Sequence, residues 1–197
     1  MNRHHSILIL FLGLFFLAAC NETYAPKPRG YVRIDLPEHD YVQFDSTFPY
    51  SFEYPVYTRL SPDPFSPHEP YWLNIDYPQF KGHIHLSYKE IDGNLLEYLE
   101  DSRRFVMKHI PKASAINDSL LYAPEKDIYG LIYNIEGMGA ASPCQFFLTD
   151  SSMHFVRGAL YFEVAPNNDS LAPVIDFIRE DINHLLRTFE WSKNENN

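Results

Sequence analysis

Cys20 is the residue of this 197-residue chain whose setting most directly names its chemistry. It follows Leu17-Ala18-Ala19, where the two small residues let a peptidase approach the backbone. Before them lies an apolar run, Ile7 to Leu17, interrupted only by Gly13. In that setting the Cys thiol is the group that takes a diacylglycerol, and cleavage in front of it makes Cys20 the first residue of the mature chain. The run is 11 residues long, too short to span a bilayer as a helix but right for the apolar core of an export signal. The competing reading is an ordinary secretory leader in which Cys20 is incidental.

Three other groupings invite a chemical reading. His83 and His85 stand two apart, so on a strand both project from one face, a spacing some metal sites use. A site needs a third ligand, for which Asp76 is a nearby candidate; the alternative is two histidines on the solvated face of a half-exposed strand. Glu180, Asp181 and His184 recur at helical spacing and are able to orient a base, yet they match no pattern tied to one reaction. They read as a polar helix face with a local His–carboxylate pair. Ser142 sits between a small-residue loop and Pro143-Cys144, without the G-x-S-x-G elbow, and no cation adjoins Cys144 to lower its pKa. Cys144 reads as a small buried apolar residue. No catalytic residue, cofactor or metal ligand is assigned, and no enzyme activity is expected.

Cysteine and charge usage narrow the partners. With Cys20 acylated, Cys144 has no intramolecular partner, which excludes a structural disulfide. The leader holds Arg3 and no acid, so the mature chain carries 15 basic against 26 acidic residues, a net charge of −11. Such a surface repels nucleic acid and anionic head groups, leaving the lipid as the expected means of membrane attachment.

The elements that must position these residues are mostly strands, as 14 Tyr and 15 Phe favour. Residues 20–48 read as a proline-rich tether, with Gly30 to Ile34 as its one strand-like fragment. Strands are expected at Tyr50–Tyr54, Tyr71–Tyr77 and His83–Tyr88, with Ile84, Leu86 and Tyr88 on one face. A helix over Asp92–Ile110 carries an Asn94/Glu97 capping box and a buried stripe of Leu95, Tyr98, Leu99, Phe105, Val106 and Ile110. Short strands near Ala113–Asn117 and Leu120–Tyr122 precede one at Ile128–Ile135, and Gln145–Thr149 pairs with Met153–Glu163 across Asp150-Ser151-Ser152. A last helix is capped by Asp169 or Ser170, with Pro173 in its first turn and Leu171, Val174, Ile178, Ile182, Leu185 and Phe189 inward. The order predicts one α+β domain over 49–192, a mainly antiparallel sheet with two long helices packed on it, followed by a frayed tail over 193–197 and preceded by the signal over 1–19. That arrangement resembles the PsbP/Mog1-like sandwich.

A more specific resemblance rests on residues in sequence order. Lys27-Pro28-Arg29-Gly30-Tyr31, Arg33-Ile34-Asp35-Leu36-Pro37 and Tyr50-Ser51-Phe52-Glu53-Tyr54-Pro55 resemble the gliding-motility lipoprotein GldD family of Bacteroidetes. So do Ala141-Ser142-Pro143, Phe147-Leu148-Thr149-Asp150-Ser151, Arg157-Gly158-Ala159-Leu160-Tyr161-Phe162, and Asp169-Ser170-Leu171-Ala172-Pro173 through to Trp191. The resemblance implies an accessory envelope lipoprotein for gliding and for type IX secretion, whose partners are other proteins of those machineries. Only the lipid site, Cys20, carries over as a site residue. It also brings an O-glycosylation pattern, met by Asp45-Ser46-Thr47, Asp118-Ser119-Leu120 and Asp169-Ser170-Leu171, with Ser46 and Ser119 as the expected sugar-bearing residues. Asn21-Glu22-Thr23 holds a single acid rather than a charged cluster after the lipid, which implies the periplasmic face of the outer membrane. The competing function is a lipid-anchored periplasmic enzyme or small-ligand binder using the His83/His85 face.

Overall fold

The computed structural model describes residues 34–192. In chain order its strands are β1 (Tyr41–Gln43), β2 (Tyr50–Ser51), β3 (Glu53–Pro55), β4 (Arg59–Pro62), β5 (Leu73–Tyr77) and β6 (Gly82–Glu90). Then come α1 (Leu95–Met107), β7 (Ala115–Ala123), β8 (Ile128–Glu136), β9 (Cys144–Thr149), β10 (His154–Phe162), α2 (Asn168–Thr188) and β11 (Glu190–Trp191). Seven strands form one sheet in the spatial order β4-β5-β6-β10-β9-β8-β7, antiparallel at every pairing. Two small ribbons, β1 with β3 and β2 with β11, complete an α+β fold with two α-helices among the described residues. No helix among the described residues is long and apolar enough to cross a membrane.

Alternation along the strands builds the core. On β6, Ile84, Leu86 and Tyr88 are buried while His83, His85, Ser87 and Lys89 lie on the other face. The buried side meets Val174, Ile178, Ile182 and Leu185 of α2, together with Tyr50 and Phe52. Each such side chain removed from water contributes about 1.5–3 kcal/mol. On the opposite side of the sheet α1 covers a smaller patch, where Val106 packs with Ile135 and Ala140.

The stripe expected on α1 is less buried than its periodicity implies. Val106 is enclosed, but Phe105 is exposed, and the helix ends at Met107 rather than at Ile110, which lies exposed in the following turn. The helix begins later, at Leu95, after Gly93 at a φ of 72°. The capping box does not form: Asn94 Oδ1 accepts the Asp92 N–H and Asn94 Nδ2 donates to the Tyr98 hydroxyl. The two short strands expected over 113–122 are one strand, β7, which tolerates Asp118 and Ser119 because it is a sheet edge open to water.

α2 starts at Asn168 rather than after an Asp169 or Ser170 cap, so Pro173 falls within the helix on its exposed side. Asn168 instead secures the small-residue loop, donating through Nδ2 to the carbonyls of Gly137 (2.9 Å) and Ala140 (3.1 Å). Gly137 adopts a φ of 129°, and a Cβ there would lie 2.4 Å from the Lys112 carbonyl oxygen. The loop is small because backbones approach closely. Across the β9–β10 turn, Asp150 Oδ1 accepts the N–H groups of Ser152, Met153 and His154. Burial pushes that carboxyl up, yet those N–H groups prevail and hold it below the usual carboxylate range.

Residues 34–48, within the segment read as a tether, take part in the fold. β1 pairs with β3, Phe44 and Phe48 pack on the core, and the Phe44 N–H donates to the Phe52 carbonyl at 2.8 Å.

Candidate functional site

Glu180, Asp181 and His184 on α2 do not pair with one another but with groups from elsewhere in the chain. Asp181, 1% exposed, turns inward and accepts four donors brought from elsewhere in the chain. His39 Nδ1 lies 2.8 Å from Oδ1, the hydroxyls of Tyr41 and Tyr57 donate to it at 3.0 and 2.9 Å, and Tyr77 donates to Oδ2 at 3.2 Å. His39 Nε2 faces Glu180 at 2.9 Å, while His184 Nε2 faces Glu53 at 2.6 Å. The Tyr41 ring lies flat on His184 with centroids 3.6 Å apart. Burial raises the Asp181 carboxyl above its ordinary value, and the bonds from Tyr57, His39 and Tyr41 hold it back. Burial also raises the hydroxyls of Tyr41, Tyr57 and Tyr77, so each stays a donor. This arrangement fastens the segment before β2 to α2. Sequence reading singles out Asp181 but not its partners, which are 104 to 142 residues away along the chain.

Ser142 and Cys144 are both fully buried, and the Ser142 hydroxyl donates to the Cys144 carbonyl at 3.2 Å. Burial pushes the Cys144 thiol up to about 12, the reverse of an activated nucleophile. Ser46 and Ser119 are exposed, one in a bend and one on β7, while Ser170 occupies the first turn of α2. Cys20 lies outside the described residues.

His83 and His85 do share a face, and it is concave. A cleft of about 610 Å³ holds both, with Asp63, Asp76, Glu163 and Tyr161 among its lining and Phe65 at its rim. The geometry follows from register: Asp76 lies beside His83, Asn74 beside His85 and Tyr161 beside His83 on neighbouring strands. Asn74 Oδ1 sits 2.9 Å from His85 Nδ1, and Ser61 donates to Asp76 Oδ2 at 2.7 Å. His85 also walls a second cleft of about 330 Å³ beneath α1, where Lys89 lies over Trp72 and Arg157 over Phe105. Among the described residues, no three His, Cys, Asp or Glu side chains converge closely enough to hold a metal ion.

Burial lowers the His85 pKa, with Asp63 opposing and Arg157 and His83 assisting. The unfolded chain therefore binds this proton more readily, and stability is lost as pH falls below the ordinary imidazole value. Urea unfolding at about pH 7.5 and about pH 5.5 should show a smaller loss for His85→Gln than for the wild type; equal losses would refute this sign.

The family model described as gliding motility lipoprotein GldD matches residues 21–191. No curated protein matches the chain. Among solved structures, it is similar to the solution structure of cyanobacterial PsbP from Synechocystis sp. PCC 6803, at 12% identity and a TM-score of 0.47 over 82% of this chain and 98% of that one. With the family pattern spanning the folded domain and most of the segment before it, the chain belongs to the gliding-motility lipoprotein GldD family, lipid-anchored proteins of the cell envelope with a role in gliding motility.

Proposed function

We propose that this lipoprotein serves gliding motility and the associated type IX secretion machinery as a non-enzymatic docking factor. Cys20 holds it by lipid on the periplasmic face of the outer membrane, and its partners are other envelope proteins of those machineries. The match to the family across residues 21–191 carries the reading. Exposed apolar side chains support it, with Phe65 at 93%, Leu120 at 72% and Tyr122 at 66% exposure. Leu120 and Tyr122 stand on β7, an edge strand whose outer side is unpaired among the described residues.

Crosslinking the lipidated protein in native membranes, followed by purification and mass spectrometry, tests this. Gliding and type IX components are expected to co-purify. A preparation free of them, carrying a small molecule or metal instead, would favour the rival reading of a periplasmic ligand binder. The His83/His85 cleft is the observation behind that rival, since it gathers imidazoles and carboxylates in a concavity.

A further inference from the structure

We infer that the cleft beneath α1 binds a small monocarboxylic acid with a compact aromatic body, independently of any docking role. Ser102 is the main observation. It is 3% exposed, lines the cleft, and its hydroxyl has no hydrogen-bond partner among the described residues. A serine inside a helix either faces water or returns its hydroxyl to the carbonyl one turn back, and Ser102 does neither. A buried donor left unspent costs stability, and an acceptor entering the cleft removes that cost.

The rest of the lining selects the charge of that acceptor and the body that carries it. Arg157 on β10 lies over the Phe105 ring at 4.6 Å and donates through Nη2 to Gln145 Oε1 at 2.6 Å. A guanidinium has several further N–H donors, and no carboxylate pairs with this one among the described residues. Its charge is felt nearby: burial and then Arg157 lower the His109 pKa. The other full charges of the lining are met locally, Lys89 by Glu69 at 2.6 Å and Asp101 by Arg104. Among the described residues this leaves the lining one unspent cation and one unspent buried hydroxyl. Ser102 and Phe105 stand three apart on α1 and so share a helix face, and Arg157 covers Phe105, which sets both donors about one ring. A carboxylate accepts from both, through charge-assisted bonds that are stronger than neutral ones. A second negative charge would meet no second free cation. Trp72, Tyr98 and Phe155 supply flat apolar walls, and at about 330 Å³ the cleft suits one ring with a short acid arm.

Titrations of the full lipidated protein in nanodiscs decide the matter. The chain has two tryptophans, Trp72 in the cleft and Trp191 outside its lining, so two indole N–H resonances report the site and a control. Added 3-phenylpropionate is expected to shift the Trp72 resonance saturably and to leave that of Trp191 in place. The neutral 3-phenylpropionamide should bind about tenfold more weakly, and Arg157→Gln should erase that preference for the acid. Ser102→Ala should weaken binding of the acid about fivefold while leaving the urea midpoint unchanged or higher, since the hydroxyl makes no bond within the fold. Equal binding of acid and amide, shifts that never saturate, or a Ser102→Ala variant that loses stability but not affinity would overturn the inference. Should Arg157→Gln fail to fold, the acid–amide comparison on the wild type and Ser102→Ala still decide. Tighter binding by a peptide ending in phenylalanine with a free carboxylate would assign the cleft to a chain terminus and overturn the small-molecule source. Docking fails separately, by recovery of no partner from native membranes.

Discussion

Asp181→Ala is expected to lower the unfolding free energy by about 3–5 kcal/mol, a large share of the total for a domain of this size. The substitution deletes one carboxylate and takes a partner from four groups, His39 and the hydroxyls of Tyr41, Tyr57 and Tyr77, although His39 keeps Glu180 at 2.9 Å. Tyr77 is 1% exposed, so its hydroxyl gains no water in exchange and its desolvation cost remains. Urea unfolding followed by far-UV circular dichroism measures the loss. Should that variant fail to fold, Tyr77→Phe removes a single bond and is expected to cost about 1–2 kcal/mol. A double-mutant cycle between Tyr41→Phe and Tyr57→Phe should then give a coupling of about 0.5 kcal/mol or more, since both donate to Asp181 Oδ1. Independent costs would mean that the cluster is four separate contacts rather than a shared knot. The effect bears on the segment before β2, because His39 and Tyr41 lie in it and loosening them frees that segment from α2.

Cys20→Ser should move the protein from the membrane to the soluble fraction. Each buried methylene of an acyl chain contributes about 0.8 kcal/mol, so several chains hold a protein almost permanently and their loss is nearly total in effect. No helix among the described residues is long and apolar enough to span a membrane, and the net charge of −10 opposes anionic head groups. Carbonate extraction followed by immunoblotting, with labelled palmitate to follow acylation, makes the measurement. Loss of label together with retention in the pellet would show a second means of attachment. On the proposed docking role, gliding should fail in the released variant, because a docking factor acts only where its partners are.

Much of this architecture was legible in local pattern. The alternation Gly82-His83-Ile84-His85-Leu86-Ser87-Tyr88 forecasts β6 with its correct inward face, since side chains on a strand repeat every two residues. The hairpin across Asp150-Ser151-Ser152 was equally plain, because Asp150 closes its turn through bonds to the next few backbone groups. Element ends were harder to place. Asn94 and Asn168 carry cap-like chemistry, but each spends its side chain on other groups, Asn94 on Tyr98 and Asn168 on the 137–140 loop. The buried extent of α1 was also obscure, because periodicity shows which face a helix turns inward but not how apolar the opposing surface is.

The boundary between the two kinds of information runs through the sites. By itself the sequence determined the acidic character of the chain, the α+β element order and the shared face of His83 and His85, all of them properties of composition or short-range spacing. Only the tertiary structure decided that Asp181 turns inward to three tyrosines and a histidine, and that the His83/His85 face is a cleft rather than an open surface. Those outcomes depend on groups tens to more than a hundred residues apart meeting across the sheet and α2. Local periodicity carries no record of such encounters, because burial and electrostatic pairing are settled by which surfaces meet once the chain has closed on itself.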